Sequence, residues 1–444
     1  MLTVLTHPVY AKLFSAQIVA LLGTGLLTIA LGLMAYELAG ESAGQVLGLA
    51  LTLKMVAYVG FSPIANALFV RLDRKTVLIV ADLIRALIAL LLPFVDAVWQ
   101  IFGLIFILQA ASATFTPAFQ AVIPDILKDE ADYTKALSLS RLAYDLENII
   151  SPALAGLLLS FISFHWLFAG TAIGFFGSIL LIAIATIPQN GGQETGGFID
   201  RLTRGTRIYL ATPRLRGLLA LNFAATTGGA MVIVNSVVIV RSEFQGSASD
   251  LALAMGAFGA GSMISALALP RLLDRLQDRS VMIYGAILIA LISTGFAFYT
   301  FTYGWASWSL FLIAWLLIGL TYSAILTPSG RLLRRSSHKS DRPALFAAHF
   351  ALSHACWLVT YPLAGILGNS LGLAPTMLVF GLLAVLATLA AVWLWRAETA
   401  GKLEHSHDDL PQDHPHLLRY AKNGKPHRHD FVIDDEHRVW PTNG

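Results

Sequence analysis

Charged side chains are scarce in this sequence of 444 residues, and their scarcity excludes a water-soluble protein of this length. Asp, Glu, Lys and Arg make up 13% of the chain, whereas apolar types make up 56%. A soluble fold with so few charges could not cover its own surface, so lipid must solvate most of the chain. Cysteine is nearly absent too. Cys356 is the only one, which excludes a disulfide within the chain.

Motifs of enzymes and ATP-driven pumps are absent as well. The sequence contains no Gly-x-x-x-x-Gly-Lys-Ser/Thr phosphate loop, so ATP hydrolysis by this chain has no support. It also contains neither a nucleophile elbow nor a zinc-hydrolase motif. We therefore expect a protein that is not an enzyme, has no cofactor and has no nucleic-acid partner.

Long apolar runs fill the first 396 residues. Each is about 20 residues or longer, the length that crosses a bilayer as a helix, and the alternation of a membrane β-barrel is missing. Twelve runs are predicted as spans: 13–35, 44–70, 76–95, 98–122, 134–160, 165–187, 215–240, 248–273, 280–302, 306–328, 343–370 and 373–396. The predicted fold class is an all-α integral membrane protein with the bilayer as its main partner.

Lys and Arg are distributed unequally between alternate loops. If the N-terminus is inside, the outer loops carry Arg241 alone, and the inner loops carry clusters of basic residues. The inner set comprises Arg71, Arg74, Lys75, Lys128, Lys135, Arg201, Arg204, Arg207, Arg214, Arg216, Arg271, Arg275, Arg279, Arg331, Arg334, Arg335, Lys339 and Arg342. By the positive-inside rule, both termini are predicted to be cytoplasmic.

Three short motifs recur at an offset of about 205–211 residues, which indicates two homologous six-helix halves. The pairs are Asp73-Arg74 with Asp278-Arg279, Thr116-Pro117 with Thr327-Pro328, and 151–156 with 361–365. We predict an N-terminal bundle over 1–187, a cytoplasmic linker over 188–213, a C-terminal bundle over 214–396 and a cytoplasmic tail over 397–444. Two parallel six-helix repeats with a substrate site between them describe a secondary transporter.

The loop after the second span resembles the signature of the major facilitator superfamily, Gly-x-x-x-Asp-Arg-x-Gly-Arg-Arg/Lys. Residues 66–75 align with it, and the basic positions match, whereas Asn66 replaces the glycine and Val70 replaces the first acid. The resemblance implies a gating loop formed by Arg71, Asp73, Arg74 and Lys75. In the family, the missing acid latches this loop against the other half, and Asp73, one turn away, could substitute for it.

A narrower resemblance links the sequence to the efflux branch that includes macrolide, enterobactin and nickel-resistance exporters. Ala81–Ala86 and Tyr133–Gly156 carry the likeness to this branch. The segment His349–Trp357 and the His-rich tail resemble the nickel-resistance members in particular.

Ionisable residues inside the spans are costly in lipid, so each requires an explanation. Asp82 and Arg85 lie three residues apart on the third span and can form an ion pair that is either structural or part of coupling. Lys54 stands alone in the second span, and its long stem can carry the charge to the interface.

The fifth span is the richest in charge. Arg141 and Asp145 lie four residues apart and share a helical face, whereas Glu147 lies about 200° round the helix from Asp145. Glu147 is therefore a candidate proton carrier, and Asp145 is either a ligand of a substrate cation or the acid paired with Arg141. The alternative is a salt-bridge network that locks the two halves in one state.

The eleventh span contains three potential metal ligands, His349, His354 and Cys356, but no two of them share a face well. His354 together with a carboxylate from another helix would suit nickel, cobalt or zinc. The repeat aligns His354 with Tyr144, so the fifth and eleventh spans could present polar groups at equivalent depth. The alternative is a histidine that donates to a backbone carbonyl.

Histidine is concentrated in the tail, which holds seven of the twelve. They are His405, His407, His414, His416, His427, His429 and His437. Six of them form His-x-His pairs, in which an extended chain points both rings to one side, and such tracts are typical of binding sites for transition metals. The alternative is a tail that serves only as a soluble extension.

These features together predict a monomeric multi-pass transporter of the inner (plasma) membrane, driven by the proton gradient. The main prediction is an exporter of a divalent transition metal such as nickel or cobalt. The alternative is an exporter of a drug or siderophore-like organic molecule, with the tail incidental. A membrane metal sensor without transport is a third hypothesis, which the duplicated body disfavours.

Overall fold

The computed structural model describes residues 2–39, 43–69, 72–188, 197–396, 402–405, 417, 426–434, 437 and 440–441. The first half contains α1 (Pro8–Ala39), α2 (Ala43–Phe69), α3 (Arg74–Leu91), α4 (Val98–Ile126), α5 (Glu130–Leu159) and α6 (His165–Ala183). A linker helix, α7 (Phe198–Ala211), follows. The second half contains α8 (Pro213–Val238), α9 (Ala248–Leu273), α10 (Asp278–Tyr303), α11 (Trp308–Leu326), α12 (Ser329–Arg335), α13 (Arg342–Ser370) and α14 (Leu373–Leu394).

Ten helical stretches among the described residues are long and apolar enough to cross a membrane. They correspond to ten of the twelve predicted spans, and the stretch from Trp308 to Arg335 contains both α11 and the short helix α12. The two remaining predicted spans are α2 and α5, which are continuous helices of 27 and 30 residues. The chain is thus a multi-pass, helical membrane protein.

The main contacts between the two halves run along three pairs of helices. Helix α2 of the first half packs on α13 of the second, α5 packs on α9, and α4 also contacts α13. Within the second half, α9 and α11 approach closely because Gly261 and Gly319 each face the backbone of the opposite helix. A Cβ atom at either position would collide with a carbonyl oxygen of the opposite helix, Leu316 for Gly261 and Phe258 for Gly319.

Helix α7 belongs mainly to the second half. Its Gly205 lies directly against the backbone of Ala344 in α13, where a Cβ atom would collide. The Arg204 Nε donates to Asp341 Oδ1 at 2.6 Å, and the Tyr209 hydroxyl lies 3.1 Å from His349 Nδ1. The linker predicted over 188–213 is therefore in large part a helix anchored to α13.

The tail contains the only strands among the described residues, which modifies the all-α prediction. Strands β1 (Lys402–His405) and β2 (His427–Asp430) pair antiparallel, with His405 opposite His427. Beyond β2, the chain returns to the second half, where Phe431, Ile433 and Trp440 join its hydrophobic core. Where it is described, the end of the tail is therefore packed on the bundle.

Candidate functional site

The halves are bridged by ion pairs at the end of the bundle where α2 meets α3 and α4 meets α5, which we call the basic end. Asp125, at the end of α4, pairs with Arg342, the first residue of α13. Glu130, the first residue of α5, pairs with Arg331 at 3.2 Å and with Arg335, both on α12. These five residues form the basic-end bridge. Among the described residues, the ion pairs between the halves all lie here.

Each half also has its own ion pair at the basic end. In the first half, Arg74 Nη1 lies 2.7 Å from Asp125 Oδ2, so Asp125 bonds two arginines at once. In the second half, Asp278 pairs with Arg331 at 2.8 Å and with Arg335 at 2.7 Å. The ion pairs of the basic end therefore form two clusters, one centred on Asp125 and one in which Arg331 and Arg335 lie between Glu130 and Asp278.

The predicted gating loop supplies one member of the cluster centred on Asp125, namely Arg74. Arg74 bonds Asp125, whereas the Asp73 carboxylate caps α3 by accepting a hydrogen bond from the backbone nitrogen of Thr76 at 3.3 Å. Asp73 thus serves its own helix, and Asp125 makes the contact with the other half. Lys75 lies on the first turn of α3, and Arg71 lies outside the described residues.

Arg141 of α5 joins the halves midway along the bundle. Its Nη2 lies 2.8 Å from Asp145 Oδ1, so the pair expected from the spacing is present. Its Nε also donates to Ser262 Oγ of α9 at 2.9 Å, and its guanidinium lies 4.9 Å from the centre of the Tyr322 ring of α11. Arg141 therefore neutralises one acid of α5 and contacts the second half through the same group.

Glu147 has a different environment from Asp145. Its Cγ faces Gly25 of α1, and the charges of Lys54 and Arg85 act on its carboxylate from α2 and α3. Among the described residues it forms no ion pair or hydrogen bond. Lys54 Nζ lies 5.5 Å from the centre of the Tyr58 ring. Asp145 and Glu147 thus differ in whether a cationic side chain is bound to the carboxylate.

Asp82 and Arg85 form a buried pair at 2.7 Å, within α3. The Arg85 guanidinium lies 4.0 Å from the centre of the Phe175 ring on α6 and 5.2 Å from that of Phe115 on α4. Because it packs between aromatic rings, Arg85 joins α3 to its neighbours in the same half.

His354 lies where α2 meets α13. Its Nδ1 lies 2.7 Å from the carbonyl oxygen of Phe350, one turn earlier in the same helix, so Nδ1 is the donor. The ring contacts Tyr58 of α2, with centroids 4.8 Å apart. His349 bonds Tyr209 of α7 instead, and Cys356 is buried with Sγ 3.5 Å from a backbone oxygen.

The described part of the chain contains no group of three or more His, Cys, Asp or Glu side chains that could hold a metal ion. His354 is thus not joined to Asp145 and Glu147 in such a group. Of the tail histidines, His427 and His437 are buried, and His405 and His429 lie in the paired strands. His407, His414 and His416 lie outside the described residues.

Asp434 connects the tail to the bundle. One of its oxygens lies 3.1 Å from His338 Nε2, in the loop between α12 and α13, and the other lies 2.8 Å from His437 Nδ1. Burial alone would raise the pKa of this carboxyl, but the hydrogen bonds to His338 and His437 outweigh it and hold the pKa well below the usual range. Nearby, the Arg214 guanidinium lies 5.6 Å from the centre of the Trp440 ring.

The sequence matches a known protein family over most of its length. The family model described as "Major Facilitator Superfamily" matches residues 13–302 and 218–427. The chain belongs to the major facilitator superfamily. As a member of this superfamily, it is a membrane transport protein.

Relatives of the transporter include proteins named for efflux. It is 28% identical to macrolide efflux protein A of Streptococcus pyogenes, over 64% of this chain and 71% of that protein. It is 26% identical to the enterobactin exporter EntS of Salmonella typhi, over 64% and 68%. It is also 26% identical to the MFS-type transporter YfiS of Bacillus subtilis, over 74% and 79%.

Solved structures share the fold of the transporter. The human organic anion transporter MFSD10 superposes with a TM-score of 0.72 at 12% identity, over 86% of this chain and 98% of that one. A bacterial homologue of the iron transporter ferroportin, in an outward-facing state, gives a TM-score of 0.71 at 14% identity, over 87% and 99%. At these identities the likeness establishes the fold alone.

The basic-end bridge is the feature that sequence reasoning missed. Its arginines served only to predict the orientation of the chain in the membrane, and Asp125 and Glu130 were not among the predicted site residues. A signal was present in the sequence. Asp125 and Glu130 lie between the fourth and fifth predicted spans, and an arginine-rich loop follows the tenth predicted span, so the predicted topology puts both loops on the inner side. Which acid meets which arginine depends on how the halves pack.

Proposed function

We propose that the transporter exports an organic molecule of the drug or siderophore type, the alternative that the sequence left open. The observation that carries the proposal is the aromatic seam between α2 and α13. There Tyr58 of the first half contacts Phe350 of the second, with ring centroids 4.9 Å apart, and also contacts His354. Aromatic rings are what sites for organic molecules use, with few polar groups to orient the cargo.

The seam continues into the second half along the same helix. Trp357 of α13 lies 4.7 Å from Tyr361 and 6.2 Å from Tyr322 of α11, measured between ring centroids. Tyr322 in turn lies under Arg141 of α5. A cargo bound along these rings would contact both halves, which alternating access requires.

The named relatives support the same choice. Two of them are named as exporters of a macrolide and of enterobactin, both organic, and export of nickel or cobalt has no comparable support among them. The absence of a three-ligand metal group in the described part of the chain agrees with this choice.

Proton coupling and the direction of transport are part of the proposal. Glu147 is a carboxylate of α5 without a bound cation, so it is the acid best suited to take up and release a proton during exchange. Asp145 is held by Arg141 and would serve structure or cargo binding instead. An inward proton would then drive the outward movement of the cargo.

The proposal is tested by expressing the chain in a bacterial host that lacks its main efflux pumps. We expect tolerance to macrolides or to other bulky organic molecules to rise, with nickel and cobalt tolerance unchanged. Everted vesicles, whose cytoplasmic face points outward, should accumulate the same molecules when their lumen is made acidic. Increased tolerance to nickel or cobalt, without any organic cargo, would support the metal alternative and overturn the proposal.

A further inference from the structure

A groove of about 540 Å³ runs between α2 and the linker helix α7. Gly60, Pro63 and Ile64 of α2 form one wall, and Leu202, Thr206 and Leu210 of α7 contribute to the other. Its volume falls in the range of sites for small molecules. The lining is mainly apolar, and Arg207 is the one charged residue that contributes to it.

The groove is open at the surface of the protein. Ile64 and Leu210 are 36% and 46% exposed on its two walls, and Gly60 is exposed between them. Apolar surface of this kind is ordinary in contact with acyl chains and unfavourable in contact with water. Hydrocarbon is therefore the natural filling of this space.

The charge beside the groove determines which lipid fits. Arg207 lines the groove and is held by Asp200, with Nη2 2.8 Å from Oδ1, in a pair whose side chains are both well exposed. Exposed pairs of this kind are weak, so a phosphate oxygen can compete for the guanidinium. Basic pockets between membrane helices favour anionic headgroups over neutral ones.

We propose that the groove binds an anionic phospholipid, with an acyl chain between α2 and α7 and the phosphate on Arg207. Helix α7 is fixed to the second half through Gly205 and through the Arg204–Asp341 pair, whereas α2 belongs to the first half. A lipid in this position contacts both halves at once, because its acyl chain packs on α2 and its phosphate bonds α7. It therefore stabilises the arrangement in which the basic-end bridge is formed.

The test uses the full-length purified protein in vesicles of phosphatidylcholine, with and without phosphatidylglycerol. We expect phosphatidylglycerol to raise the melting temperature of the wild type, and Arg207→Gln to weaken its apparent affinity about fivefold, the effect of removing one basic contact. Arg241→Gln removes an exposed arginine far from the groove and should leave the affinity unchanged.

A second measurement keeps the proposal independent of the stability of any one variant. A photoreactive residue at Leu210 should cross-link phospholipid, with more product when phosphatidylglycerol is present, whereas the same residue at lipid-exposed Leu180 should show no such preference. Equal responses to the two lipids, or a cross-link at Leu210 to a second copy of the chain, would overturn the proposal. Either result leaves the organic-cargo hypothesis unaffected.

Discussion

Asp125 at the end of α4 and Arg342 at the start of α13 are 217 residues apart in sequence and form an ion pair across the two halves. The same carboxylate bonds Arg74 of its own half at 2.7 Å, so one buried acid fixes the gating loop and the second half together. Separation of the halves at this end requires the Asp125–Arg342 bond to break, together with the bonds of Glu130 to Arg331 and Arg335.

We expect Asp125→Asn to open the basic end. Removing one partner from a buried pair leaves an uncompensated charge, a loss of about 3–5 kcal/mol for dry pairs, and here two arginines lose their acid. A cysteine introduced by Ala347→Cys in a Cys356→Ser background should then react faster with a water-soluble maleimide. Asp96→Asn, a change of an exposed acid in the loop after α3, is the matched control and should leave the rate unchanged.

Glu147→Gln is expected to stop efflux driven by a pH gradient while cargo binding persists. Glutamine keeps the size of the side chain but cannot exchange a proton, and Arg141 continues to hold Asp145. Transport in everted vesicles and equilibrium binding of the same cargo distinguish the two effects. Glu37→Gln alters an exposed acid of α1 and should transport normally. Full gradient-driven transport by the Glu147→Gln protein would exclude this residue from coupling.

His354→Ala is expected to lower both stability and transport, because the ring packs on Tyr58 and bonds its own helix. His354→Phe keeps an aromatic ring at the seam and should retain most organic export. The melting temperature and the transport rate are measured side by side. A phenylalanine variant that is stable but inactive would instead assign the ring nitrogens a direct role in cargo binding.

Trp440→Ala should detach the end of the tail. Trp440 is only 8% exposed, packs in the core of the second half and lies under Arg214, so its loss should cost about 3–5 kcal/mol. Trp393→Ala removes a tryptophan that is 70% exposed and serves as the control. Truncation before residue 397 should leave an inserted but less heat-stable protein. An unchanged melting temperature in both tail variants would mean that the tail contributes nothing to stability.

The contact of Asp434 with the two histidines predicts a pH dependence of stability. Because its pKa is lower in the folded state than in the unfolded state, its contribution is complete above the unfolded value, about pH 4, and is lost as the pH falls further. The difference in melting temperature between wild type and Asp434→Asn should therefore stay large near neutrality and shrink in acid. A difference that is the same at pH 7 and pH 3 would contradict this assignment.

Local spacing was sufficient to predict part of this structure. Membrane helices can be predicted from the length of apolar runs, because in lipid the backbone N–H and C=O groups can hydrogen-bond only to one another. The Asp82–Arg85 and Arg141–Asp145 pairs follow from helical geometry, since residues three or four apart are neighbours.

Contacts between distant segments could not be predicted in this way. The pairing of Glu130 with Arg331 depends on the position of one half relative to the other, which no local pattern encodes. The docking of Phe431 and Trp440 depends on a surface built by other helices, so composition alone could not predict that the end of the tail packs on the bundle. The direction of the His354 ring, toward Tyr58, has the same origin.

The basic-end bridge takes its acids from the first half and its arginines from the second. Two copies of the first half, facing each other at this end, would bring acids against acids and would repel. Two copies of the second half would place arginine against arginine. The two halves are thus complementary in charge at this end, so neither could replace the other in closing it.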